Sequence, residues 1–519
     1  MQNYPYTKIS LLLPDEGSNS LLSTYRSMEN SPLLCRSAST EFQKNTGKKA
    51  QKETTWKKEA KIIATWSAPL IATTLLQRSI IIVSIFAVGR IGTIELGAVT
   101  VASATTNMIG NTVIQGLANG LDTLAAQAYG SGKKHLVGLH VQRMIYFIHL
   151  CVLPLIILWW KAEEIFVFIL KDQQVAYLAG TYLKIMILRF PAYVLFECGK
   201  RFFQAQGIFH AATFVVVLAA PFNALIMWLF VWHLGWGFIG APIAIVITEN
   251  LMVLLLLLYA WLVDGSQCWG GLTKDAFRNW GPMIRIAVPG MIMYVTEFAA
   301  EEVLTLAAAQ FGTSQLAAQS VLVTLVQITY IVPLGASIAA SIRVANWIGA
   351  RASGAAKFSA KVVGSSPSGS LVLVDFNARL QAVVFGFVLS SSNTVLLFSL
   401  RNQLPYLFTR DPEVVVAVVK SIPIISCMLV FDTMAAFSHG LLRAIGCQGF
   451  GSYVNLVAYY VIALPISFST AFMLDWKIYG LWTGMATGLC LVSTIEFWWL
   501  NRSDWDHAVD KATLRNDLG

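Results

Sequence analysis

Residues 211–232 read "AATFVVVLAAPFNALIMWLFVW", and one histidine later residues 234–240 read "LGWGFIG". The first stretch carries no charge and reaches the roughly 20 residues that one helix needs to cross a bilayer. The second is a glycine-rich break, and a second copy, "LDWKIYG", stands far down the chain at 474–480. A spanning segment whose closing turn recurs at such range points to a duplicated membrane protein. Composition agrees: of 519 residues 56% are hydrophobic and 13% charged, half the charged share of an average soluble domain. Mean hydropathy is +0.62.

Apolar runs separated by polar breaks give twelve candidate spans, beginning near 62, 97, 145, 176, 211 and 239, then near 284, 316, 380, 414, 453 and 479. An all-α integral membrane protein of twelve helices is therefore expected. Residues 1–60 are polar, lack the layout of a signal peptide, and are expected to form a disordered cytosolic tail. Residues 502–519 read as a second short cytosolic tail. With both ends on one side, the inside loops hold thirteen Lys and Arg against six outside, so both termini are expected in the cytosol. The same bias accounts for the net charge of +9 without nucleic acid. Seven scattered cysteines form neither a C-x-x-C pair nor a metal cluster.

The halves repeat. Pro69 matches Pro289 and Gly92 matches Gly312 at one common offset, and Gly116 matches Gly335 and Gly130 matches Gly349 at an offset one shorter. Two six-helix lobes, 61–264 and 284–501 with a cytosolic linker at 265–283, are expected about a pseudo-two-fold axis along the membrane normal. Later matches, such as Leu234 with Leu474, are spaced more widely, so about 20 residues are inserted in the second half, most visibly at "GSSPSGSLVLVDFNARLQ" (364–381). That stretch reads as a loop insertion or a translated intron.

The stretches "ELGAVTVAS", "GLANGLDTLAAQAYGSGK" (116–133), "RFFQAQGI" (201–208) and "GLLRAIGCQGFGSYVNLVAYYVIALPI" (440–466) resemble the eukaryotic, fungal-like branch of the multidrug and toxic compound extrusion (MATE) transporters. The likeness covers roughly 60–502 apart from the insertion. It implies a V of two six-helix lobes around a central cavity. It also implies export of organic, often cationic, solutes in exchange for protons or sodium.

Acids inside the spans are the candidate chemistry. Glu297, Glu301 and Glu302 lie in the apolar "YVTEFAAEEVLTLAAAQFG" (294–312), where each would cost about 2.5–3.5 kcal/mol facing lipid. Glu297 and Glu301, four apart, share a helix face, whereas Glu302 lies about 140° round from Glu297. The family's seventh-helix pattern instead matches Glu297 and Glu302, with Phe298 and Ala299 where two aromatics are usual, and leaves Glu301 as a structural residue. By the offset of Pro69 from Pro289, the first-half counterparts are Gln77, Ile81 and Ile82, so coupling chemistry is expected in the second lobe. Asp432, in "SCMLVFDTMAAFSHGLLR", matches an acid frequent in the family's tenth span. Glu302, Asp432 and Glu297 are thus the expected proton-coupling groups, with protonation releasing substrate outside. Protons are favoured over sodium because so few acids suit a titrating site better than an oxygen cage.

Gln77, Gln204, Asn455 and Tyr459 are expected to line the substrate cavity, interhelical hydrogen bonding being the alternative for the last three. Arg78, where the family usually has an aromatic, reads either as a counter-ion for an acid or as a snorkelling residue. Glu197 reads as a loop-edge ion-pair partner of Lys200 and Arg201, and Asp122 and Arg343 as fold elements near the cytosolic end. "YGSGK" lacks the spacing of a phosphate loop. His149, His210, His233 and His439 stand near span ends without partners, so no enzyme is expected. The expectation is a monomeric antiporter of small organic solutes, without resident cofactor, in the vacuolar or plasma membrane. The alternative is a flippase of a lipid-linked or amphipathic substrate, which would call for several cavity-lining bases.

Overall fold

The computed structural model describes residues 56–170, 172–364, 391 and 393–518. The first half holds α1 (Trp56–Gly89), α2 (Thr93–Thr105), a π-helical turn at Thr106–Asn111, α3 (Thr112–Ala118), α4 (Gly120–Gly130), α5 (Lys134–Trp160), α6 (Ala162–Ile169), α7 (Gln173–Met186), α8 (Phe190–Ala205), α9 (His210–Trp228) and α10 (Gly240–Leu262). The second holds α11 (Gly281–Ala308), α12 (Thr313–Gly349), α13 (Ser353–Gly364), α14 (Pro412–Ile445), α15 (Gln448–Leu456), α16 (Leu464–Phe468), α17 (Lys477–Arg502) and α18 (Trp505–Leu518). No strand occurs among the described residues. Among the described residues ten helical runs are long and apolar enough to cross a membrane. The second expected span is the broken run α2–α4, and the ninth, with the 364–381 insertion, falls largely on residues outside those described.

The repeat is visible in backbone geometry. Gly235 and Gly237 take left-handed φ of 69° and 56°, and their repeat counterparts Asp475 and Lys477 take 52° and 50°. Ahead of these turns stand π-helical segments at Leu229–His233 and Ser469–Met473, which correspond under the same offset. The early glycines mark where the two lobes touch. A Cβ on Gly116 would lie 2.9 Å from the Met291 backbone, and one on Gly335 would lie 2.8 Å from Ile71. Gly130 is pressed against the Asn346 carbonyl and Gly349 against the Gln127 carbonyl, each oxygen 2.1 Å from the Cβ position. Each contact is its partner's image under the repeat.

These contacts close the end of the bundle that carries both described termini. There Thr123 Oγ1 donates to Arg443 O (2.5 Å) and Gln127 Nε2 to Ala444 O (2.8 Å), joining α4 to α14. One buried core runs through the first lobe into the near ends of α12 and α14, including Ala345, Ile348 and Leu442. The far half of the second lobe has its own core around Leu304, Leu322, Val418 and Leu481. The lobes are thus fused at one end and separately packed at the other.

Three boundaries differ from the sequence reading. Glu59, assigned to the tail, is fully buried in α1, held by Arg343 at 3.0 and 2.7 Å and by Ser359 at 2.8 Å. The third span starts at Lys134 rather than near 145, so Arg143 belongs to a helix, not a loop, and donates to Asp275 O at 3.3 Å. Residues 505–518 are no loose tail. They form α18, which buries Trp505, Ala508, Val509 and Ala512. Arg515 Nη2 of α18 donates to Gln127 Oε1 (2.9 Å) and Lys133 Nζ donates to Asn516 O (2.9 Å). In each case polar residues at a helix end were read as loop, whereas packing of one face had ordered them.

Candidate transport site

Two adjoining cavities lie between and within the lobes. The central one is walled by Gln77 of α1, Gln115 and Asp122 of α3 and α4, Glu197 to Gln204 of α8, Tyr294 and Glu297 of α11, Tyr330 of α12, and His439 and Arg443 of α14. The second lies against the second lobe. It is lined by Glu297, Glu301, Asp432, Tyr330, Tyr459 and Gln327, with Arg78 reaching in from the first lobe. Glu297 lines both, so the cavities share a carboxylate.

On the first-lobe wall every acid has a base. Glu197 takes Lys200 (2.8 Å) on one oxygen and Arg201 (2.6 Å) on the other, because offsets of three and four place both bases one turn away. Arg201 also donates to Asn119 Oδ1 at 2.5 Å and lies 3.5 Å from Asp122, which Arg443 approaches to 3.9 Å. Deeper in the lobe Arg189 pairs with Glu249 at 2.6 Å, donates to Asn111 Oδ1 at 2.9 Å, and stacks 4.2 Å over the Tyr193 ring. Gln115 donates to Tyr193 Oη (2.6 Å) and accepts from Tyr294 Oη (3.0 Å), bridging the lobes across the cavity floor.

The second-lobe acids differ. Among the described residues Glu297 has His439, at 3.9 Å, as its one ion-pair partner, and Glu301 and Asp432 form none. Glu301 Oε1 and Asp432 Oδ2 are buried without a hydrogen-bond partner there, as is the Tyr459 hydroxyl. The other nitrogen of His439 stands 3.5 Å from Glu496, whose second oxygen accepts from Ser438 Oγ at 2.6 Å. No group of His, Cys, Asp and Glu suited to a metal ion occurs among the described residues.

Of the expected coupling acids, Glu297 and Asp432 meet in one cavity and Glu302 lines neither. Glu301 takes that place, because the face it shares with Glu297 is the one turned to the cavity. Gln77 and Gln204 line the central cavity and Tyr459 the second. Asn455 lines neither; fully buried, it donates to Met293 O at 3.1 Å and ties α15 to α11. Arg343 is a fold element as expected, but Asp122 faces the central cavity. Glu197 has its expected partners, in the cavity wall rather than at a loop edge. His439 is no isolated span-end residue: it sits between Glu297 and Glu496, brought from other helices. Glu496 was missed, though a lone acid in the apolar "LCLVSTIEFWWL" (489–500) is a signal that could have found it. The first lobe is not without buried acids, as Asp122, Glu197 and Glu249 show; each of these three is paired with Lys or Arg.

Comparison with known proteins agrees with this architecture. A MatE family model matches residues 69–229, 289–363 and 377–469, and the unmatched interval after 363 falls within the stretch read as an insertion. The chain is 36% identical over 464 residues to an uncharacterized transporter of Schizosaccharomyces pombe, covering 89% of this chain and 83% of that one. It is 31% identical over 473 residues to multidrug and toxin extrusion protein 1 of Homo sapiens, covering 91% and 80%. The crystal structure of the eukaryotic MATE transporter AtDTX14 superposes with a TM-score of 0.81 at 28% identity, covering 89% of this chain and 99% of that one.

Proposed function

The chain belongs to the MATE family of membrane transporters, and on that premise we propose that it exports small organic cations in exchange for protons, its two lobes rocking about the central cavity. The observation that carries this reading is the convergence of Glu297, Glu301 and Asp432 in one cavity, none of them ion-paired to Lys or Arg among the described residues. Buried carboxylates lacking a fixed counter-charge are costly, and a proton or an organic cation offsets that cost. The two therefore compete for one site, so that binding of one displaces the other. Tyr294, Phe298, Tyr330 and Tyr459 supply ring faces suited to an organic cation.

The fused end, which carries both described termini, is assigned to the cytosol on the Lys and Arg bias. The structure is then the outward-facing member of the cycle, in the vacuolar or plasma membrane. A flippase of anionic headgroups is disfavoured because Lys200 and Arg201 of the central cavity are engaged by Glu197 and Asp122.

The test is dye-cation transport by purified protein in proteoliposomes, with and without an imposed pH gradient. Glu297→Gln, Glu301→Gln and Asp432→Asn are each expected to lower gradient-driven transport at least about tenfold, equivalent to about 1.4 kcal/mol. Glu302→Gln is expected to stay near the parent rate. Gradient-independent transport in the parent would overturn the proton reading; a dead Glu302→Gln beside an active Glu301→Gln would overturn the site.

A further inference from the structure

Among the described residues Arg78 is the only Lys or Arg lining the second cavity, and it comes from the opposite lobe. Its Nη1 donates across the lobe boundary to Gln327 Oε1 of α12 at 2.8 Å. A guanidinium has five N–H donors in a rigid fork, and this is the one hydrogen bond that the described structure gives it. The titratable groups that share its cavity are Glu297 and Glu301 from α11, Tyr330 from α12, Asp432 from α14 and Tyr459 from the segment after α15. All belong to the second lobe. The repeat supplies no matching base: the counterparts of Gln77 and Arg78 in the second half are Glu297 and Phe298. One repeat thus carries a permanent cation beside the acid cavity of the other, at a depth where the lobes have ceased to share a core.

We infer that Arg78 is a positioning residue that couples the charge of the carboxylate cavity to the separation of the lobes. With Glu297, Glu301 and Asp432 ionised, the guanidinium is drawn from Gln327 into the cavity and pulls α1 toward α11 and α14, closing the outer half. Protons on those acids, or a cationic substrate among them, cancel the attraction, and Arg78 falls back on Gln327 with the outer half open. The inference rests on the proton-coupled reading above and adds the element through which charge becomes movement.

The test measures lobe separation and transport together. Spin labels on cysteines replacing Arg90 and Gln310, both exposed at the outer ends of α1 and α11, report the outer distance in lipid nanodiscs at pH 5.5 and 8, in an otherwise cysteine-free background. The expected result is a longer distance at low pH in the parent, a distance insensitive to pH in Arg78→Gln, and a restored response in Arg78→Lys. Arg78→Gln is further expected to flatten the pH profile of dye transport. A parent-like pH response of the distance in Arg78→Gln overturns the inference. If that occurs while Asp432→Asn still abolishes gradient-driven transport, the proton-coupled reading stands and the coupling through Arg78 alone falls. A parent whose transport ignores the gradient overturns both.

Discussion

Gly130 and Gly349 offer the sharpest test of how the lobes meet. An alanine at either position places its Cβ 2.1 Å from a backbone carbonyl of the other lobe, and the carbonyl must retreat by about 0.9 Å to reach even 3.0 Å. A backbone oxygen fixed in a helix cannot rotate away, so the lobes themselves must part. Overpacking of this kind costs about 1–3 kcal/mol, and the clash exists only in the closed arrangement. The ratio of closed to open molecules at the terminus-bearing end should then fall by about 5- to 150-fold. The unfolded-state entropy change of Gly→Ala is common to both arrangements and drops out of that ratio. A single cysteine replacing Ala444, which is fully buried at this end, reports the opening through its labelling rate with a membrane-impermeant maleimide, in a background from which all seven native cysteines have been removed. Gly130→Ala and Gly349→Ala should accelerate labelling to a similar degree, because the repeat makes their contacts equivalent. The double variant should fall short of the product, because both act on one interface. Folded Gly130→Ala and Gly349→Ala proteins that label at the parent rate would refute the reasoning.

Two further outcomes concern stability. Removing one partner of the buried Glu59–Arg343 pair, as Glu59→Gln, should cost about 3–5 kcal/mol, whereas Glu59→Leu with Arg343→Met should recover most of it. Unfolding of the detergent-purified proteins measures both, and a Glu59→Gln protein as stable as the parent would show the pair to be dispensable. Lys477 holds a left-handed φ of 50° where its counterpart is Gly237. Lys477→Gly should therefore raise stability by about 1 kcal/mol, and Gly237→Lys should lower it; an unchanged midpoint in both would remove strain from the account of these turns.

Much of the molecule follows from local physics along the chain. A run such as 211–232 must be a spanning helix, because no other conformation satisfies its backbone in hydrocarbon. The recurring offsets between paired glycines carried the two lobes, since equivalent close contacts between helices leave no room for a Cβ at either copy. Helical angle alone put Glu297 and Glu301 on one face. What the chain could not say was which face looks into the cavity, for that depends on where α12, α14 and α17 pack. Packing turned Glu301 and not Glu302 into the cavity. It placed His439 between two acids contributed by other helices, Glu297 of α11 far before it in the chain and Glu496 of α17 well after it. It turned Asn455 from a cavity residue into a clamp on Met293, and it ordered α18 from a sequence that reads as a tail. Charge is the clearest case. Acids are legible in both lobes, and spacing alone pairs Glu197 with Lys200 and Arg201, but only the tertiary structure brings Arg201 to Asp122 and Arg189 to Glu249 and leaves Glu301 and Asp432 without an ion pair among the described residues, because those partners come from separate elements whose approach no sequence spacing encodes.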